Sequence, residues 1–112
     1  MGKIHMKQKD IYLVPFPFSD LKGKKIRPVV IVSNDYFNLK SKDVIVCGIT
    51  TRKVPESISI LPENISQGRF FSKSYIKPSN ILKIQKNILF KKIGTVNEEL
   101  FNKTKQQIIK LF

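Results

Sequence analysis

Apolar positions along the chain fall in short runs that predict strands until close to the end. Residues 10–18, DIYLVPFPF, read as an apolar strand. Pro15 and Pro17 limit its pairing or place it on an edge, because proline offers no N–H to a neighbour. Residues 19–26, SDLKGKKI, form a polar, glycine-containing hairpin loop with three lysines. Residues 27–33, RPVVIVS, are β-branched and predict a strand buried on both faces, and Asn34 is placed to cap a short helical turn through residue 38. Residues 43–51, DVIVCGITT, predict a similar strand broken at Gly48, and residues 57–61 alternate as a half-buried strand does. Gln67, Gly68 and Arg69 read as a turn. Residues 74–76 read as a strand ended near Pro78, and residues 88–96 add a short strand near their end.

The period then changes. Asn97 is a good N-cap, with Glu98 and Glu99 in the first turn, where the helix dipole favours acid. Leu100, Phe101, Thr104, Ile108, Leu111 and Phe112 trace one helical face, and Lys110 sits in the last turn. The pattern predicts a mainly β fold with flanking helices: a small barrel of short strands ended by an amphipathic helix.

A chain of 112 residues has room for one core, and 41% apolar residues suffice to build it. Residues 1–5, MGKIH, are expected to be a vector-derived leader ahead of Met6, leaving 6–112 as a single domain and discounting His5, the only histidine. No apolar run approaches the ~18 residues of a membrane span. The expectation is a soluble, cytoplasmic protein with no membrane partner. The single cysteine, Cys47, excludes an internal disulfide framework and a cysteine-rich zinc site. Charge changes the picture most. Lys and Arg number 21 against eight Asp and Glu, a net +13. Such an excess favours a polyanionic partner, although an AT-rich genome also enriches lysine.

Conventional catalytic sets are missing: there is no Cys–His pair, no Walker loop and no GxGxxG. No metal or cofactor is expected, since Asp10, Asp20, Asp35 and Asp43 have no ligand-like spacing and read as turn and cap carboxylates. The informative stretch is KGKKIRP, residues 22–28. Arg27 at a barrel mouth, next to the fixed φ of Pro28, is placed to grip a phosphate with its planar fork. An ion pair with Asp20 explains it equally well. Thr50 and Thr51 offer hydroxyls at a strand end, although β-propensity alone accounts for them more simply.

The segments DIYLVPFPFSDLKGKKIRPVVIVSND, VIVCGITT and SYIKPSNILKI, in this order and spacing, resemble the MazF/PemK family of toxins from toxin–antitoxin systems. The resemblance runs from about residue 9 to the end. It implies an SH3-like barrel with a C-terminal helix, a homodimer, a small acidic antitoxin, and metal-independent endoribonuclease activity on single-stranded RNA. It places the family's catalytic arginine on Arg27 and its catalytic threonine or serine on Thr50, with Thr51 beside it. The loop of residues 19–25 resembles the one that closes over RNA, so Ser19, Lys22, Lys24 and Lys25, with Phe18 stacking on bases, become expected RNA contacts. Phe16 and Phe37 could also stack, but core packing is their preferred reading. A further basic residue and an Asp of some members fall near Lys77 and Ser79, with Ser replacing Asp. Asp20 is the candidate proton acceptor. Lys9 stands where the family usually has Gly, a departure read as minor.

Two other readings stay open. One is a toxin of the same fold that binds DNA gyrase, as the related CcdB family does, using a C-terminal tail such as Leu111 and Phe112. The other is a non-catalytic nucleic-acid-binding barrel, for which the charge suffices.

Overall fold

The computed structural model describes residues 5–17, 24–68 and 73–112. Among them the elements run β1 (Asp10–Pro17), β2 (Lys24–Ile31), α1 (Asp35–Lys40), β3 (Asp43–Thr50), β4 (Ile58–Ile60), β5 (Ile65–Gly68), β6 (Ser74–Gln85), β7 (Lys91–Val96) and α2 (Glu98–Lys110). The strands form one antiparallel sheet in the order β4-β6-β3-β2-β1-β7-β5, curled into a nearly closed barrel. The fold is mainly β with a C-terminal helix, as the patterning predicts.

Alternation along the central strands feeds two apolar clusters. Ile11, Val30, Cys47, Ile49, Ile76 and Val96 join Leu100 and Phe101 of α2 in the first. Tyr12, Val14, Val29, Ile31, Val44 and Val46 join Met6 and Leu89 in the second. Neighbours such as Val29 and Val30 thus point to opposite sides and are both fully buried. This is why residues 27–33 read as a continuous apolar run rather than an alternation.

β1 carries its two prolines without lying at an edge. β7 pairs with β1 only as far as Leu13, so Pro15 and Pro17 fall where β2 is the sole partner. Both helices start on the predicted caps. Asn34 Oδ1 accepts from the Phe37 N–H at 2.8 Å, and Asn97 Oδ1 from the Leu100 N–H at 3.0 Å. Each such cap is worth about 1 kcal/mol.

Five details differ from expectation. β2 begins at Lys24, so Arg27 lies inside a strand rather than at its start. Gln67 and Gly68 end β5 instead of forming a turn. Gly68 has φ +83°, and a Cβ there would meet the Ile93 carbonyl oxygen and approach Gly94 Cα to 2.7 Å, so only glycine lets β5 pack on β7 here. β6 does not end near Pro78 but runs through it to Gln85. In α2, Leu100, Phe101 and Thr104 are buried, whereas Leu111 and Phe112 lie past the helix and are exposed. Finally, Lys9 has φ +84°, so the glycine it replaces answers a backbone demand and the departure is not minor.

Candidate functional site

β2 and β3 pair through Val29–Gly48, Val30–Cys47 and Ile31–Val46. Continued by two residues, this register sets Arg27 across from Thr50. On the other side of β3, Gly48 pairs with Lys77 and Thr50 with Tyr75 of β6. Arg27, Gly48, Thr50 and Lys77 therefore share one face of three adjacent strands. It is the face that, further along the same strands, buries Val29, Ile31, Val44 and Val46.

At Gly48 this face opens into a groove of about 870 Å³. Its walls come from Lys25 to Pro28 of β2, from Gly48 to Arg52, and from Ser74, Lys77, Asn80 and Leu82 of β6. The opening has a geometric cause. Cys47 pairs with Ile81 but Gly48 pairs with Lys77, so Pro78, Ser79 and Asn80 have no opposite number on β3. A bulge of this kind bends the strand and re-aims its side chains. Pro78, which has no N–H to leave unpaired, is fully buried at the start of the bulge.

Among the described residues the lining carries Lys25, Arg27, Arg52 and Lys77 and no Asp, Glu or His. Four cations around one concavity make a site for a polyanion. Thr50 is half-buried, and its Oγ1 accepts from the Arg52 N–H at 3.1 Å, which leaves the hydroxyl proton available for donation to a ligand. Thr51 and Lys25 are exposed at the rim, and Arg27 and Lys77 are half-buried.

Of the residues singled out from sequence, Lys25, Arg27, Thr50, Thr51 and Lys77 come together. Ser79 does not line the groove; it is exposed in the bulge, and its neighbour Asn80 faces in instead. Phe18, Ser19, Asp20 and Lys22 lie outside the described residues, as do the side chains of Phe16 and Lys24. Phe37 is half-buried on α1 and is not part of the groove. Sequence reasoning missed Arg52, Ser74 and Asn80. Arg52 could have been found beside Thr50 and Thr51, but Asn80 could not, because its aim depends on the bulge.

Other chemistry in the molecule is structural. Asp10 is buried, accepts from the Lys7 N–H and Thr95 Oγ1 at 3.1 Å each, and pairs with Lys92 at 3.3 Å. Asp35 accepts from the Gln8 N–H at 2.8 Å, and Asp43 lies 3.9 Å from Lys83. Burial pushes the Cys47 thiol up to about 12, far from a nucleophile's range. Among the described residues no three His, Cys, Asp or Glu gather as metal ligands, and no helix is long and apolar enough to cross a membrane.

A family model described as PemK-like, MazF-like toxin of type II toxin–antitoxin system matches residues 7–112. The chain belongs to this family.

Solved structures share its fold. MazE–MazF from Deinococcus radiodurans has a TM-score of 0.80 at 12% identity, over 97% of this chain and 96% of that one. A mycobacterial endoribonuclease in complex with its cognate antitoxin has a TM-score of 0.73 at 22% identity, over 96% and 93%. A second mycobacterial endoribonuclease has a TM-score of 0.74 at 23% identity, over 98% and 93%. No curated protein sequence matches the chain.

Proposed function

We propose that this toxin is a metal-independent, sequence-specific endoribonuclease that cuts single-stranded RNA, with Arg27 and Thr50 as its catalytic residues. The observation that carries the reading is the groove itself, which gathers Lys25, Arg27, Arg52, Lys77 and the Thr50 hydroxyl around one concavity. The 2′-OH of one nucleotide attacks the adjacent phosphorus, and the bond to the 5′-oxygen breaks. The products are a 2′,3′-cyclic phosphate and a 5′-OH. Arg27 donates to the equatorial oxygens as charge builds there, and stays protonated at any working pH. Thr50 holds the phosphate and the 2′-OH in line for attack. Asp20 is the proposed acceptor of the 2′-OH proton, because the described lining holds no general base.

Lys25 and Lys77, with Lys22, Lys24 and Ser19 of the preceding loop, attract the RNA backbone, so binding weakens as salt rises. Phe18 stacks on a base and Thr51 flanks the scissile phosphate, while Ser79, exposed in the bulge, takes no part. The proposed assembly is a homodimer in the cytoplasm, neutralised by a small acidic antitoxin that occupies the same groove. The described mycobacterial complex of an endoribonuclease with its antitoxin supports that partner.

The test is cleavage of a long, weakly structured RNA in EDTA by the purified protein and by Arg27→Ala, with the new ends mapped. Discrete cuts with 5′-OH ends, lost in the variant, are expected. The matching DNA should remain whole, since it lacks the 2′-OH. Absence of cuts by folded, antitoxin-free protein would overturn the reading.

One observation favours the gyrase alternative. Ile109, Leu111 and Phe112 are exposed at the end of α2. That reading gives the groove no role, and it predicts that Arg27→Ala leaves toxicity intact while deletion of Leu111 and Phe112 abolishes it.

A further inference from the structure

Among the described polar groups around the groove, Asn80 is one that phosphate chemistry does not explain. It is the last residue of the three that β6 inserts opposite the Cys47–Gly48 step. The insertion turns its side chain across the strand and over Gly48. A Cβ built on Gly48 would run into the Asn80 amide nitrogen and come within 3.2 Å of its Cγ. The missing side chain at Gly48 is thus the space in which the Asn80 amide lies.

Among the described residues nothing uses that amide. Asn80 is half-buried and lines the groove, yet its side chain makes no hydrogen bond with any described residue. No buried side-chain nitrogen or oxygen lacks a partner among the described residues, so the Asn80 amide group is not sealed in the core. A neutral amide among Lys25, Arg27, Arg52 and Lys77 contributes little to attracting phosphate. What it offers is a donor and an acceptor side by side. That pair matches the paired donor and acceptor on the edge of a nucleobase, and an unpaired RNA base exposes such an edge.

We infer that Asn80 is a specificity-determining residue that hydrogen-bonds the edge of one base in the bound RNA strand. This rests on the ribonuclease reading above and adds to it the part of the groove that selects sequence. The cations bind any strand, and Asn80 sets one letter of the cut site.

The test maps cleavage of a random-sequence single-stranded RNA pool in EDTA by wild type, Asn80→Ala and Asn80→Asp, with thermal melting of each. The Ala variant should relax the preference at one position of the motif by about tenfold, through a loss of rate at sites that carry the preferred base and not at every site. In Asp both oxygens accept, so preference at that same position should shift toward the base whose exposed edge presents two adjacent donors, guanine with its N1–H and amino group. An unchanged motif in both folded variants, or a uniform loss of rate at every site, would overturn the inference and leave the nuclease reading standing. A wild type that cuts nothing would sink both.

Discussion

The two ends of one sheet face obey different rules. At one end Val29, Ile31, Val44 and Val46 are fully buried and sealed by Met6 and Leu89. At the other, one or two residues along the same strands, Arg27, Gly48, Thr50 and Lys77 line an open groove. Neither the strands nor the face changes between them; what changes is the register of β6 against β3. A small barrel can therefore keep its core and its binding surface on the same elements, divided by one irregularity.

Truncation at the sealed end should have the largest effect on stability. Ile31→Ala removes a fully buried side chain and should cost about 2–5 kcal/mol in denaturant unfolding. Cleavage per folded molecule should be kept. A large loss of activity without a loss of stability would break the division.

At the open end the balance reverses. Arg27→Ala should lower the cleavage rate by about 10²–10³-fold, as loss of one well-placed charge-stabilising donor does. The unfolding midpoint should hardly move, because the Arg27 side chain is only half-buried. A collapse of stability would instead make Arg27 part of the core.

Gly48→Ala tests the boundary itself. Its Cβ meets the Asn80 side chain, not backbone, so the expected stability cost is at the low end of the about 1–3 kcal/mol of overpacking. Displacement of Asn80 should change which RNAs are cut more than how fast. The smallest effect lies away from the groove. Lys9 Nζ meets Glu98 Oε1 at 2.6 Å, and this hydrogen bond, with the lysine's charge, holds the Glu98 carboxyl below its ordinary value. A depressed folded value means that the contribution is full above the unfolded carboxyl's pKa and is lost as pH falls through the folded one. The gap in unfolding midpoint between wild type and Glu98→Gln should thus close on acidification below about pH 4.

Most of the fold was legible because its signals are local. Val29 to Ile31 and Val44 to Val46 are unmistakable as buried strands, and Asn34 and Asn97 announce their helices. Pro78 misled for a physical reason: a proline breaks a regular ladder, but here it sits where the ladder is already interrupted. Gly68 misled in the same way, since positive φ suits both a turn and a close strand crossing. Lys9 shows the limit of composition, because nothing local marks the residue before Asp10 as left-handed. In the groove, Arg27 and Thr50 were marked by their own chemistry and given roles by family resemblance, Lys77 by resemblance alone, and the β2–β3–β6 register brings them to one face. Asn80 was out of reach, because the count of residues along β6 gives it one orientation and the slipped pairing gives it another.

The same slip separates two kinds of change that a β-sheet ordinarily ties together. On either side of residues 78–80, β3 and β6 keep an undisturbed antiparallel register, Val46 against Leu82 and Ile49 against Ile76. A residue gained or lost within that slack would reshape the groove floor while leaving both ladders in phase with the core. In an unbroken strand the same change would turn every later side chain to the wrong side. The bulge thus allows the recognition surface to diverge in length as well as in sequence, with the barrel beneath it unchanged.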